Sequence, residues 1–156
     1  MTFETTRCLI RPFQERDLVA FMNYRNDLEW MQHQSFKGLT VEQYKRSLLS
    51  EPSIVNGMQL AIISKETNVL IGDLYIHQED ATYWIGYTIT PQQSRQGYAV
   101  EVVSGLIAQL TARGAKTIKA GALAANEASI ALLQKLHFVY IATEDDEQIY
   151  QLAVSK

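Results

Sequence analysis

The stretch Ile85-Gly-Tyr-Thr-Ile-Thr-Pro-Gln-Gln-Ser-Arg-Gln-Gly97-Tyr-Ala-Val-Glu101 carries the chain from an apolar, β-type run through a polar loop into a helical run. Ahead of it, Met58 to Ser64, Val69 to His77 and Thr82 to Ile89 are β-branched and aromatic runs. The turns Lys65-Glu-Thr-Asn and Gln78-Glu-Asp part them, which predicts an antiparallel meander. Behind it, Ala99, Val102, Val103, Leu106, Ile107 and Leu110 recur with helical spacing as far as Gly114, a residue suited to ending a helix. Lys116 to Leu123 then reads as a strand, Asn126 as the cap of a helix carrying Ile130, Leu133 and Leu136, and Glu144-Asp-Asp-Glu as the turn of a closing hairpin. A meander followed by strand, helix, strand, helix and strand predicts an α+β (mixed α/β) fold, a mixed sheet carrying helices.

Toward the start, Arg7 to Phe13 reads as a strand closed by Pro12, and about Glu15 to Arg25 as a helix with Leu18, Phe21 and Met22 on one face. Asn26 to Leu39 has no period. Thr40 and Gln43 have the spacing of a capping box, opening a second helix that ends before Pro52 and a turn at Asn56-Gly57. A length of 156 residues predicts one domain, 1–156, and no repeat or linker interrupts it.

With 47% hydrophobic and 20% charged residues the chain has a globular composition, and its net charge of -3 provides no global attraction to nucleic acid or an anionic membrane. Cys8, the single cysteine, cannot pair internally, and no Cys or His residues have zinc-site spacing, so no metal is expected. No apolar run nears the roughly 18 residues of a membrane span, and the opening lacks a leader's pattern. The expectation is a cytoplasmic protein, with monomer and homodimer both open and Cys8 a packed small side chain.

The loop itself predicts an anion site. Free N–H groups and the positive end of the helix dipole meet at Gln96, Gly97, Tyr98 and Ala99, with Arg95 able to add a charge-assisted contact. Gly97 has no companion glycines in a G-x-G-x-x-G array and no Gly-Lys-Ser/Thr follows it, which speaks against nicotinamide binding and nucleotide hydrolysis. A glycine that merely opens a helix is the alternative.

Ser94, Arg95, Gln96, Gly97, Tyr98 and Ala99 resemble the pyrophosphate loop of the GNAT superfamily of N-acetyltransferases, Gln/Arg-x-x-Gly-x-Gly/Ala. Ile85-Gly-Tyr, Gly-Tyr-Ala-x-Glu and Asn126-Glu-Ala-Ser-Ile-x-Leu-Leu-x-Lys-Leu-x-Phe are similar to the branch that acetylates ribosomal-protein N-termini. So are the opening Thr-Arg-Cys-Leu-Ile-Arg-Pro-Phe and Tyr24-Arg-Asn-Asp. The resemblance implies a single twisted mixed sheet of about six or seven strands with helices on both faces, splayed between the strand ending near Ile89 and that ending near Leu123. It implies transfer of an acetyl group from acetyl-CoA to a primary amine, a protein N-terminus or a small molecule, with no covalent enzyme intermediate. Main-chain groups around Thr88 and Ile89 would hold the pantetheine, Gln96 to Ala99 the pyrophosphate, and Asn126 the coenzyme, with Ser129 near its sulfur. Gly86, in an otherwise apolar strand, is expected to mark a bulge or a close backbone approach. Asn126 and Ser129 also suit a plain helix cap.

The sequence departs from the pattern at Ser94, Arg95 and His137, the last standing where Lys-Leu-Gly-Phe has glycine. Leu133 takes the place of a frequent tyrosine acid and Trp84 that of an occasional glutamate base, so proton transfer needs other groups. An alkylammonium must lose a proton before attack, which makes His77 and Glu79 candidates and His33 a lesser one. Tyr24, Trp30, Phe36 and Trp84 suit either an acceptor pocket or the core. Two other readings remain open: a non-catalytic acetyl-CoA sensor, and an interaction domain without coenzyme.

Overall fold

The computed structural model describes residues 1–50 and 53–155. The apolar runs pair as eight strands of one sheet: β1 (Phe3–Glu4), β2 (Cys8–Pro12), β3 (Met58–Ser64), β4 (Leu70–Glu79), β5 (Thr82–Ile89), β6 (Thr117–Leu123), β7 (Val139–Glu144) and β8 (Glu147–Ala153). Their order is β1-β2-β3-β4-β5-β6-β8-β7, and every neighbouring pair is antiparallel except β5 and β6. The strand beyond the expected six or seven is β1, whose two residues are too short to leave a period in the sequence.

Alternation along β3 divides the core. Leu60 and Ile62 point to a cluster with Val102, Val103 and Leu106 of α3 (Tyr98–Ala112) and Leu133 of α4 (Glu127–Lys135). Ala61 and Ile63 point the other way, to Phe21 and Tyr24 of α1 (Leu18–Arg25) and Tyr44 and Leu48 of α2 (Val41–Leu49). Helices therefore cover both faces, as the resemblance implied.

A 3-10 turn at Glu15–Asp17 precedes α1, and buried Asp17 there holds Arg11 of β2 through two hydrogen bonds of 2.7 and 3.1 Å. The capping box of α2 forms, with the Gln43 amide donating to Thr40 Oγ1 at 3.2 Å and the Thr40 amide to Gln43 Oε1 at 2.8 Å. Pro52, read as the stop of that helix, lies outside the described residues.

The feature that positions the site is where the sheet parts. β5 and β6 pair only at Thr82↔Thr117, Tyr83↔Ile118 and Trp84↔Lys119, while β5 stays on β4 to Ile89 and β6 stays on β8 to Leu123. A cleft opens from Ile85 onward. Gly86 does not mark a bulge, because the ladder runs through Tyr75↔Gly86 in register, nor a close approach, because a methyl group there would lie 3.4 Å from Tyr75 Cβ. The register shifts lie elsewhere, at Ile71 of β4, which has no partner between Ile62↔Gly72 and Ile63↔Leu70, and at Ile141 of β7, and the close approach is at Gly72, where a methyl group would collide with the Thr88 carbonyl.

Candidate active site

Gly97 caps α3 with φ +80, a left-handed conformation that favours glycine. No acceptor among the described residues engages the main-chain N–H groups of Gln96, Gly97, Tyr98 or Ala99, so four donors are left without an internal partner at the positive end of a 15-residue helix. Arg95 has φ +61 and His137, just past α4, φ 72. Both of these departures thus occupy left-handed positions, at a cost of about 1 kcal/mol each.

Arg7 joins this loop from β2's leading end. Its guanidinium carbon lies 3.9 Å from the Tyr98 ring centroid, and its Nε donates to Glu101 at 2.6 Å. A methyl group on Gly97 would come within 3.6 Å of Arg7 Nη2, so a cation stands beside the free amides. Burial works against the Glu101 charge, but hydrogen bonds from Thr5 and Arg7 outweigh it and hold the carboxyl below its usual range. Sequence reasoning passed over Arg7, although it stands in the opening pattern quoted above.

Within the cleft, main-chain groups alternate between β4 and the open edge. The Thr88 carbonyl turns to Gly72 and the Thr90 amide bonds Ile71, leaving the groups of Tyr87 and Ile89 toward the cleft. The Ile89 carbonyl there accepts the Trp30 indole N–H at 3.0 Å. Thr88 instead serves from beneath: its hydroxyl accepts from Arg25 Nη2 at 3.2 Å, and the same nitrogen donates to Asp73 at 2.6 Å.

A cavity of about 460 Å3 runs from Trp30 and Ile89 past Ala99 to Asn126 and Ser129. It adjoins one of about 270 Å3 that brings Ser129 together with Tyr87, Glu147 and His33. Asn126 Oδ1 accepts from the Ser129 amide at 3.3 Å, so Asn126 caps α4 and also lines the cleft. Ser129 Oγ lies 2.6 Å from Tyr87 Oη. Burial pushes the Tyr87 phenol up to about 12, with the Ser129 hydrogen bond working the other way. Tyr87 therefore keeps its proton at neutral pH, while Leu133 is fully buried in the core.

By sequence Glu147 closes the acidic turn Glu144-Asp-Asp-Glu. The β6–β8 ladder lays its carboxylate over Gly121, where any methyl group would collide with it, and the side chain lines the same cavity as Ser129. Nothing local in the sequence marks this. His77 and Glu79 stand apart, with His77 opposite Trp84 and Glu79 opposite Thr82, at the closed end where β5 and β6 still pair. They approach each other at 3.8 Å and line none of these cavities. Of the four aromatics, Phe36 and Trp84 line a further cavity on the α1/α2 side, Trp30 lines the cleft, and Tyr24 is buried in the core. Cys8 is fully buried.

A family model described as acetyltransferase (GNAT) domain matches residues 7–139. The sequence is 30% identical over 144 residues to the uncharacterized N-acetyltransferase YoaA of Bacillus subtilis (strain 168), covering 86% of this chain and 81% of that protein. It is 27% identical over 109 residues to YnaD of the same organism, covering 69% of this chain and 64% of that protein's length. Among solved structures, RimL, a ribosomal L7/L12 alpha-N-protein acetyltransferase in complex with coenzyme A, superposes with a TM-score of 0.83 at 15% identity, over 99% of this chain and 98% of that one. Spermidine N-acetyltransferase from Vibrio cholerae, in complex with CoA and spermine, gives 0.81 at 13% identity, over 95% and 96%. At these identities the two structures speak for the fold.

Proposed function

We propose, since this chain belongs to the GNAT family of acetyltransferases, that it moves an acetyl group from acetyl-CoA to a primary amine by direct transfer in a ternary complex, acting as one domain. The observation that carries this reading is the conjunction of four free amides at Gln96 to Ala99 with a cleft that holds Ser129, Tyr87 and Glu147. The amides, with Arg7 and Arg95 beside them, fit a pyrophosphate; the open edge at Tyr87 and Ile89 fits an extended amide-bearing arm once Trp30 yields the Ile89 carbonyl. Acetyl-CoA supplies the acyl group as a thioester, so that a carbon–nitrogen bond forms as the carbon–sulfur bond breaks and two protons leave the ammonium. Glu147 holds the ammonium and passes one proton to solvent, and the Tyr87–Ser129 pair delivers the equivalent of the other to the departing sulfur. His77 and Glu79 take no part in this scheme, because the closed end of the sheet keeps them from the cleft.

Thermal unfolding with acetyl-CoA is the first test, since ligand at roughly 100 times its dissociation constant adds about 2.7 kcal/mol of stability. Gly97→Glu is expected to abolish the shift, because it places a carboxylate among the anion-binding amides and a side chain on a left-handed backbone. No shift for the native chain at millimolar acetyl-CoA favours the interaction-domain reading; a shift without transfer to any amine favours a sensor.

The hydroxyl pair makes a separate expectation. A thiol of pKa near 8.5 leaves readily, so Ser129→Ala and Tyr87→Phe should each lower kcat by only about tenfold, with coenzyme affinity kept. The raised Tyr87 phenol also fixes a sign: its contribution to stability is complete below pH 10 and is lost as the pH climbs to about 12. Tyr87→Phe should flatten that alkaline slope in unfolding measurements; an unchanged slope excludes a buried, protonated Tyr87.

A further inference from the structure

On the α1/α2 side of the sheet lies a cavity of about 580 Å3. Phe36, Tyr75 and Trp84 are half-buried and line it, offering apolar surface to an occupant. Two carboxylates belong to this cavity, and they differ. Asp73 is buried, paired with Arg25 at 2.6 Å and hydrogen-bonded by the Tyr24 hydroxyl, so its charge is already answered. Glu147 is exposed and takes part in no ion pair among the described residues. The cavity thus offers a ligand one uncompensated negative charge.

This cavity and the one at Ser129 share Ile85, Gly86, Tyr87, Gly121 and Glu147 as walls. Two residues beyond the last β5–β6 pair, Trp84↔Lys119, stand Gly86 and Gly121, on the face of this cavity, both without side chains. The space over Gly121 is filled by the Glu147 carboxylate. The space over Gly86 is not: its nearest neighbour, Tyr75 Cβ at 3.4 Å, makes only ordinary contact. A glycine inside a strand costs about 0.5–1 kcal/mol, and no turn, bulge or crowding here demands it. What its bare backbone leaves is a gap from the α1/α2 side into the cleft.

We propose that the acceptor is a monocationic primary amine with an apolar or aromatic body, which lies against Tyr75, Trp84 and Phe36, sets its nitrogen at Glu147 and enters the cleft over Gly86. The inference rests on the acetyl-transfer reading above and deepens it. A polyamine fits less well, since its second ammonium would meet no free carboxylate in this cavity, only neutral polar groups such as Ser47 and Gln59 and aromatic faces worth about 0.5–2 kcal/mol, against a desolvation cost of several kcal/mol.

The test uses the full chain with 2-phenylethylamine and spermidine as probes at fixed acetyl-CoA, following release of the coenzyme thiol. It compares the native protein, Gly86→Ala and Gly86→Val, with coenzyme affinity measured by calorimetry and stability by thermal unfolding. Expected are a kcat/KM at least tenfold higher for 2-phenylethylamine, a loss of at least tenfold with valine and less with alanine, and coenzyme affinity within twofold throughout. The valine variant should unfold no earlier than the native chain, because valine suits a strand better than glycine. Preference for spermidine, intact 2-phenylethylamine turnover in Gly86→Val, or loss of coenzyme affinity in Gly86→Ala overturns the proposal while leaving acetyl transfer standing. Coenzyme binding without transfer to either amine overturns the proposal, and the acetyl-transfer reading falls with it only if peptide N-termini are not acetylated either.

Discussion

Replacing Asp73 by alanine is expected to cost about 3–5 kcal/mol of unfolding free energy, the range for removing one partner of a buried ion pair. Asp73 is 1% exposed on the central strand β4, and it answers the Arg25 guanidinium at 2.6 Å and the Tyr24 hydroxyl from α1. Arg25 is itself 4% exposed and its Nε already lacks a partner, so removal of Asp73 leaves a buried cation with only the Phe36 carbonyl and the Thr88 hydroxyl as acceptors. Burial first, and the Asp73 charge second, hold the Tyr24 phenol well above its usual pKa, so it stays a donor for which the variant provides no acceptor. Against a typical total of about 5–15 kcal/mol this is roughly a fifth or more of the protein's stability. Asp73→Asn keeps the shape and an acceptor and should lose less. Urea unfolding of both variants measures the difference; a loss under about 1 kcal/mol for Asp73→Ala would mean that Arg25 relaxes to solvent. Because Arg25 also donates to the Thr88 hydroxyl, the variant is expected to raise the KM for acetyl-CoA as well.

Glu147→Gln is expected to lower kcat/KM for the amine by about 100-fold or more, the effect usual for loss of a positioned acid–base group. Glutamine keeps the side chain seated over Gly121, so the cavity retains its shape and the change isolates charge. Coenzyme affinity should not move, because the four amides that fit the pyrophosphate lie at the head of α3 on another part of the cleft. Steady-state kinetics against amine and acetyl-CoA separately reads both. Full turnover in Glu147→Gln with loss in His77→Ala would place the ammonium at the closed end of the sheet and sink the assignment of Glu147.

The contrast between Glu147 and Gly97 shows what a sequence can disclose. Gly97 acts through its own backbone angle and the helix it begins, and both are written within six residues, so the glycine-led helix start is legible in the sequence. Glu147 acts through a ladder that pairs it with Leu123, 24 positions away, and until β6 and β8 align it is one of four acidic residues in a turn. Tyr87 was visible as part of Ile85-Gly-Tyr, but its partnership with Ser129 spans 42 positions and a crossover helix. His77 and Glu79 stand at the end of β4, and only the β5–β6 pairing decides which end of the sheet opens. Gly86 was expected at a bulge because hydrophobic period cannot distinguish space filled by a neighbour from space left clear.

Three residue pairs join β5 to β6, whereas each of those strands is fully laddered to its other neighbour. Mechanically the sheet is two panels on a short seam, with α3 bridging the connection between them. A ligand lying along the open edge would touch both panels at once and act as a removable strand, so the stiffness of the seam is set by occupancy. The core beneath is continuous across that seam, since Ile85 of β5 and Ala120 of β6 share one cluster with Val102 and Leu106 of α3, so the helix ties together what the strands leave apart.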